Sequence, residues 1–280
     1  MGWDARQRAM LEAMGLRVWA QAAPVDVAPE EETGLAEADR PDVAAEAPAL
    51  VARPAPVAER PAAPSVRPAA PVATPAAADP ARAARIAALE WPALRDDVAA
   101  CRACGLCESR KQTVFGVGNE RAHWLIVGEA PGEQEDLRGE PFVGEAGRLL
   151  DNMLRALGLG RAEGPVERQV FIANTLKCRP PRNRNPEPAE LAACEPYLQR
   201  QLELVQPRVI VAMGRFAVQQ LLRTAEPIGR LRGRVHAYQG VPLIVTYHPA
   251  YLLRSLPDKA LAWDDLCLAR EVYESAGTAS

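Results

Sequence analysis

The sequence carries almost no excess of charge of either sign. Its 33 Lys and Arg residues face 36 Asp and Glu residues, for a formal net charge of −3 over 280 residues. Residues 85–280 alone hold 25 basic and 24 acidic side chains. A chain with this balance has no general positive field, so any contact with phosphates must come from local clusters of arginine.

Long apolar runs are also missing. No stretch is long enough to span a bilayer, and the N-terminus lacks the apolar core of a signal peptide. We therefore expect a cytoplasmic protein with no membrane partner. The chain has six cysteines, and in the reducing cytoplasm these indicate a metal site, a cluster or buried thiols rather than disulfides.

Composition divides the chain into three parts. Residues 1–20 have a helical pattern of apolar positions, and residues 21–84 form a linker rich in alanine and proline that contains 12 of the 26 prolines, all between Pro24 and Pro80. Such a linker buries too little apolar surface to offset the entropy of ordering, so we expect an extended, disordered tether. Residues 85–280 are the predicted folded domain.

The pattern of the N-terminal segment is typical either of a docking peptide held on that tether or of a terminal helix without a binding function. Its pattern of Arg6, Leu11, Met14-Gly15-Leu16 and Trp19 resembles the N-terminal peptide of the psi subunit of the bacterial polymerase III clamp loader. The resemblance implies that residues 3–20 bind the clamp loader.

Strand and helix patterns alternate through the predicted domain. Apolar runs predict strands at 124–128, 169–174, 208–213 and 242–246, and helical spacing predicts helices near 146–157, 188–205, 214–222 and 258–274. Strands separated by helices pair in parallel through right-handed crossovers. The expected fold class is therefore α/β, a three-layer α/β/α sandwich with a central, mostly parallel sheet of four strands.

Polar residues follow three of these strands at their carboxyl ends. The first strand ends in Gly128, Glu129 and Ala130, the second in Asn174 and the fourth in His248. Ligands of open α/β sheets collect at this edge. An amide there presents a donor and an acceptor side by side, although each of these residues alone is as readily explained by turn formation.

The cysteines form a constellation of metal-binding type. One C-x2-C pair is followed far downstream by two more cysteines, and these four are Cys101, Cys104, Cys178 and Cys194. Four thiolates from two segments suit either tetrahedral zinc or a cubane iron–sulfur cluster, and spacing does not choose between them. Cys107 extends the local run in the manner of ferredoxins, but Lys111 stands where the fourth cysteine of that pattern falls. We expect Cys107 and Cys267 to be bystanders.

Taken together, the motifs resemble family 4 of the uracil-DNA glycosylases, the iron–sulfur branch of that superfamily. The resemblance covers about residues 95–275 and rests on four segments in order: 128–132 with Glu135 and Asp136, Pro141–Gly144, Asn174 before Cys178-Arg179-Pro180-Pro181, and His248-Pro249-Ala250-Tyr251-Leu252-Leu253-Arg254. It implies a [4Fe-4S] cluster on the four cysteines named above. A branch of this family that becomes linked to uracil does so through a His in a basic loop, and residues 179–184 contain no His.

The resemblance also implies roles for individual residues. Glu129, Glu135 and His248 would be catalytic, with Glu129 favoured for water and cation stabilisation and Glu135 for contact with the leaving base or for structure. The flipped uracil would be held by Gly128, Glu129, Ala130, Phe142, Asn174 and His248. DNA would be contacted by Arg179, Arg182, Arg184 and Arg254, with Leu252 as the wedge in the base stack.

The leading hypothesis is a monomeric, monofunctional glycosylase that releases uracil from single- and double-stranded DNA and leaves an abasic site. A rival is a non-catalytic adaptor that binds damaged DNA and is tethered to the replication machinery. The third possibility is a zinc-stabilised DNA-binding module.

Overall fold

The computed structural model describes Met10 and residues 79–277. The predicted docking peptide at 1–20, apart from Met10, and the predicted linker as far as residue 78 lie outside the described residues. Residues 80–84, which composition assigns to the linker, instead form the first turns of a helix. The cause is local: Pro80 stands at the first helical position, and the Asp79 carboxylate accepts a hydrogen bond from the Ala81 N–H at 3.0 Å.

The described helices are α1 (Pro80–Ala87), α2 (Trp91–Ala100), α3 (Leu106–Ser109), α4 (Glu133–Arg138), α5 (Glu145–Ala156), α6 (Pro188–Val205), α7 (Arg215–Leu222), α8 (Ile228–Leu231), α9 (Pro249–Leu252) and α10 (Asp258–Gly277). Short 3-10 turns lie at Val166–Arg168 and Pro181–Asn183. None of the helices among the described residues is long and apolar enough to cross a membrane.

The strands are β1 (Val117–Gly118), β2 (Trp124–Gly128), β3 (Val170–Asn174), β4 (Val209–Met213), β5 (Val235–Tyr238) and β6 (Val241–Thr246). They form one sheet in the order β1-β3-β2-β4-β6-β5. The four inner strands are parallel, and the two edge strands pair antiparallel. The α/β prediction is confirmed, but the expected count of four strands is wrong because both edges add a short strand.

Side chains of the inner strands point alternately to two apolar layers. Leu125 and Val127 of β2 face a cluster with α2, α6 and α7, whereas Trp124 and Ile126 face a cluster with α5 and α10. Met10 is 3% exposed and belongs to the second cluster. The sheet thus separates two helical layers and leaves its carboxyl edge open for a site.

Candidate active site

A pocket of about 370 Å³ opens at the carboxyl ends of β2, β3 and β6. Gly128 of β2 is in register with Asn174 of β3, and His248 lies two residues after the end of β6. The residues lining the pocket are Glu129, Ala130, Pro131, Gly132, Glu135, Phe142, Ala146, Asn174, Pro180, Asn183, Arg184, Asn185, Pro186, Phe216, His248, Ala250 and Arg254. The sheet therefore brings together the polar residues that the sequence places at three separate strand ends.

Asn174 lines this pocket and carries a side-chain oxygen that has no hydrogen-bond partner. The residue is 2% exposed, and its Oδ1 is buried without a hydrogen-bond partner. Among the described residues, five buried side-chain nitrogen and oxygen atoms lack a partner, and Asn174 is the one of these residues that lines the pocket. A buried amide oxygen without a partner costs about 1–3 kcal/mol, so this atom indicates a ligand that donates a hydrogen bond.

Gly128 lies next to both the Asn174 side chain and the Phe142 ring. A Cβ atom added at this glycine would collide with Asn174 Oδ1 and lie 2.7 Å from Phe142 Cζ. Any larger residue would displace both side chains. The glycine therefore contributes to the site through the space that it leaves.

Phe142 is held in an unusual backbone conformation. Its φ of 55° lies in the left-handed region, which a bulky aromatic residue rarely adopts and which costs about 1–3 kcal/mol. Arg161 accounts for part of the restraint, since its Nη2 donates to the Phe142 carbonyl at 3.2 Å and its Nη1 to the Pro141 carbonyl at 3.0 Å. Gly147 allows α5 to approach, because a Cβ there would collide with the same Phe142 carbonyl. The buried ring, 5% exposed, is thereby fixed as one wall of the pocket.

Glu129 is tied to the start of α7. Its Oε1 accepts a hydrogen bond from the Phe216 N–H at 3.0 Å, where the helix dipole favours a negative charge. Burial raises the pKa of Glu129, and the Phe216 N–H and the nearby Arg215 oppose this rise. Gly214 permits the contact, since a Cβ there would lie 2.5 Å from the same oxygen. Glu129 thus lines the pocket with a fixed orientation.

Glu135 is occupied by backbone donors. Its Oε2 accepts from Gly132 N–H at 3.1 Å, and its Oε1 accepts from Val143 N–H at 3.0 Å and from Gly144 N–H at 3.3 Å. Both oxygens therefore connect the turn after β2 to the segment that carries Phe142. This geometry favours the structural alternative for Glu135 over direct contact with a leaving base.

His248 lies opposite Phe142 in the pocket. The two rings are nearly parallel, with centroids 5.3 Å apart and an interplanar angle of 25°. The Ala250 N–H donates to His248 Nδ1 at 3.2 Å, so Nδ1 acts as an acceptor and the neutral ring carries its proton on Nε2. Burial, aided by the Arg254 cation, lowers the pKa of His248 to about 4. The site therefore holds a neutral imidazole whose Nε2–H can donate.

The protonation state of His248 is measurable by NMR. In protein labelled with ¹⁵N-histidine, we expect one of the three histidines to show the neutral Nε2–H form from pH 8 to pH 5 and to change only as the pH falls towards about 4. The signal that is lost in His248→Gln identifies it. Titration of this signal near the ordinary histidine value of about 6.5 would contradict the assignment.

The predicted DNA-contacting arginines divide into two groups. Arg184 is paired with Glu190 at 2.6 Å, and Arg179 donates to Asn183 Oδ1 at 2.8 Å and lies 3.6 Å from Glu133. These two arginines shape the loop beside the pocket. Arg182 and Arg254 are exposed and form no ion pair with another described residue, so they are better placed to meet phosphates.

Lys177 belongs to the interior of the protein. It is 1% exposed, and its ammonium donates to the Asn174 carbonyl at 2.8 Å and to Gln201 Oε1 at 2.6 Å. Burial lowers the pKa of Lys177 to about 8. The lysine thus supports the backbone of Asn174 from the interior of the protein.

The position assigned to Leu252 as a wedge is corrected by the structure. Leu252 ends α9 with 0% exposure and packs in the core layer of α5 and α10. Its neighbours Tyr251 and Leu253 are each 40% exposed. A side chain that enters a base stack must be exposed, so the apolar tip of this segment is Leu253, with Tyr251 beside it.

The cysteines named from the sequence meet on the layer of α2 and α6. Cys101, Cys104, Cys178 and Cys194 line a single void, together with Cys107. Burial raises the pKa of Cys104 and Cys178 and raises that of Cys194 to about 12. Among the described residues, no three Cys, His, Asp or Glu side chains lie close enough to hold one metal ion. The four cysteines thus line a common void without forming, among the described residues, a group that would hold a single metal ion.

Sequence reasoning missed three residues that shape the pocket: Arg161, Gly147 and Gly214. A lone arginine in a loop and single glycines outside a motif carry no distinctive pattern. Their function depends on which backbone atoms approach them in the folded chain. Only the tertiary contacts described above identify them.

Comparison with known proteins agrees with this fold. Residues 115–267 match the model of the uracil DNA glycosylase superfamily. The chain is 46% identical over 165 residues to a type-4 uracil-DNA glycosylase of Archaeoglobus fulgidus, covering 56% of this chain and 80% of that protein. It is 43% identical over 181 residues to a type-4 enzyme of Thermotoga maritima, covering 63% and 91% of the two chains. A type-5 uracil-DNA glycosylase of Pyrobaculum aerophilum is 33% identical over 148 residues, 48% of this chain and 64% of that protein.

The sheet order, the pocket at its carboxyl edge and the family match define a member of the uracil DNA glycosylase superfamily. The relatives of highest identity reported above carry the type-4 name and are covered over most of their length. The chain belongs to the type-4 uracil-DNA glycosylases.

Proposed function

We propose that this enzyme hydrolyses the N-glycosidic bond of deoxyuridine in single- and double-stranded DNA, which releases uracil and leaves an abasic site. The observation that carries the proposal is that Asn174, whose Oδ1 is buried without a partner, lines the same pocket as a neutral His248. The target nucleotide must leave the base stack to reach such a pocket, at a cost of about a few kcal/mol.

Recognition of uracil follows from the donors and acceptors of Asn174. Its Oδ1 accepts the N3–H of uracil, and its amide N–H₂ donates to O4. Cytosine has no N3–H and has an amino group in place of O4, so it would leave the buried amide unpaired. Phe142 supplies the apolar wall, and the fixed backbone around it keeps the pocket narrow.

Catalysis requires stabilisation of two opposite charges. Cleavage leaves negative charge on the uracil ring and positive charge on the sugar. The His248 Nε2–H donates to uracil O2 as that charge develops. The carboxylate of Glu129, oriented by the start of α7, stabilises the sugar cation and positions the attacking water.

The direct test is single-turnover release of uracil from a U:G duplex and from a single-stranded oligonucleotide. We expect release from both by the wild type and a large decrease in His248→Ala. Tighter binding of uracil-DNA than of undamaged DNA without any release would support the adaptor hypothesis instead.

Replacement of Leu253 should affect uracil release from duplex DNA and from single-stranded DNA differently. In Leu253→Ala, we expect release from duplex DNA to fall about tenfold and release from single strands to stay unchanged, because only a duplex needs its stack refilled. The comparison variant Leu252→Ala should instead lower the free energy of unfolding by about 2–5 kcal/mol. Equal losses on both substrates in Leu253→Ala would exclude the wedge.

We also propose that Cys101, Cys104, Cys178 and Cys194 bind a [4Fe-4S] cluster. The four cysteines line one void, and a cubane spaces its ligands more widely than a single ion does. Thiolates are costly in such a void unless a metal compensates their charge. When bound, the cluster cross-links the segment before β1 to the segment after β3. Iron and acid-labile sulfide analysis of the purified protein, with its visible absorbance, tests this cofactor against zinc.

Recruitment to replication is a further part of the proposal. The resemblance of residues 3–20 to a clamp-loader-binding peptide supports it. Deletion of residues 1–78 removes Met10 from the apolar layer of α5 and α10 but none of the described residues that line the pocket, so it should leave uracil release from free oligonucleotides unchanged and abolish binding to the clamp loader. Light scattering on the same two proteins tests the expected monomer.

A further inference from the structure

Two arginines donate hydrogen bonds to the sulfurs of the cysteine site. Arg82 Nη2 donates to Cys101 Sγ at 3.6 Å, and Arg110 Nη1 donates to Cys178 Sγ at 3.1 Å. Both arginines lie outside the family match at 115–267. Their guanidinium groups bring positive charge into contact with atoms that become thiolates when they bind metal.

Each arginine also binds a carbonyl near a second cysteine. Arg82 Nη1 donates to the Ala193 carbonyl at 2.8 Å, directly before Cys194. Arg110 Nη2 donates to the Ala99 carbonyl at 3.0 Å, two residues before Cys101. The rigid fork of each guanidinium therefore joins two ligand-bearing segments that are far apart in sequence.

Neighbouring groups hold Arg82 in place before any cofactor binds. Its guanidinium lies 4.8 Å from the centroid of the Tyr197 ring, a cation–π distance. The Tyr197 hydroxyl donates to Asp97 Oδ1 at 2.6 Å, and Asp97 pairs with Arg85 of α1. Helix α1 is thereby anchored where Arg82 reaches the sulfur.

We infer that Arg82 and Arg110 are positioning residues that raise the reduction potential of the cluster and slow its loss, an inference that rests on the cofactor proposed above. Reduction by one electron adds negative charge to a cluster that is already anionic. Cationic donors at the sulfurs stabilise the reduced form more than the oxidised form. When one cysteine sulfur detaches from the cluster, the hydrogen bonds of the two guanidinium groups keep the ligand-bearing segments together.

The test uses the full chain with Arg82→Met, Arg110→Met and the corresponding Lys variants. Arg200→Met is the matched control, because Arg200 also joins two segments, its own helix α6 and the residues before α2, through the Leu89 carbonyl at 2.7 Å and Glu90 at 3.1 Å, but it bonds to no cysteine among the described residues. The midpoint potential is measured by titration with dithionite and EPR, and cluster loss by transfer of iron to a ferrous chelator.

We expect each Met variant to disfavour reduction about tenfold, which corresponds to about 59 mV for one electron, and to lose iron several-fold faster. Arg200→Met should match the wild type in both measurements, and uracil release per cluster-bearing molecule should stay unchanged. If a Met variant loses its cluster during purification, retention is supported, and the corresponding Lys variant, which keeps the positive charge, should retain both the cluster and a potential near that of the wild type.

Potentials and rates of iron loss equal to those of the wild type in both Met variants would overturn the inference. A wild-type protein without iron would overturn the cofactor and this inference together. Uracil release by such a protein would leave the glycosylase proposal standing, so the two failures are distinguishable.

Discussion

Replacement of Asn174 by alanine should lower single-turnover uracil release by at least about a hundredfold. The amide would pair with both N3–H and O4 of the flipped base, and loss of such a paired contact in a buried site has effects of about this size or larger. The free enzyme should not lose comparable stability, because Asn174 Oδ1 has no partner to lose when the pocket is empty. A large loss of activity at nearly constant stability is therefore the signature expected of a recognition residue.

The measurement is uracil release under excess enzyme, alongside urea unfolding of the same preparations. Asn152→Ala is the matched control, since Asn152 lies on α5 away from the pocket and accepts a hydrogen bond from Arg155 at 2.8 Å. Asn174→Ala with the turnover of the wild type would reject the recognition proposal, whatever its stability.

The inner sheet was predictable because its strands are buried on both faces. All five residues of β2, β3 and β4 are buried, and such strands are continuous apolar runs bounded by polar turns. The edge strands escaped prediction because β1 has two residues and β5 is partly exposed along its length. A strand of two residues is too short to show a hydrophobic pattern, and a partly exposed strand lacks the continuous apolar run of a buried one.

Sequence predicts the pocket residues that lie at the ends of strands. It does not predict the direction of side chains in the short helix and the loops around the pocket. The parallel sheet places Asn174 and His248 at one edge by topology alone. Whether Leu252 points inward or outward depends on its place in a four-residue helix. A helix this short has no repeating pattern of apolar residues from which the buried face could be predicted. The bonds of Glu135 to Val143 and Gly144 depend on how a loop folds back, and sequence carries no signal of that path.

Gly128→Ala should abolish most activity by filling space in an otherwise intact fold. The added methyl group would collide with Asn174 Oδ1 and lie 2.7 Å from Phe142 Cζ. The backbones of both residues are fixed, Asn174 by the sheet and Phe142 by the bond of its carbonyl to Arg161, so the two side chains must turn away from the added methyl group. We expect the strain to lower the free energy of unfolding by about 1–3 kcal/mol. A displacement of about 1 Å in these two groups would lower uracil release by about a hundredfold.

Gly229→Ala provides the control for adding a methyl group, since a Cβ at Gly229 has no atom within 4 Å. Both variants are compared by single-turnover uracil release and by urea unfolding. Full activity in Gly128→Ala would mean that the base does not bind between Asn174 and Phe142. The expected result, a folded protein with little turnover, would locate the base at this meeting point, because the change adds volume there and removes no functional group.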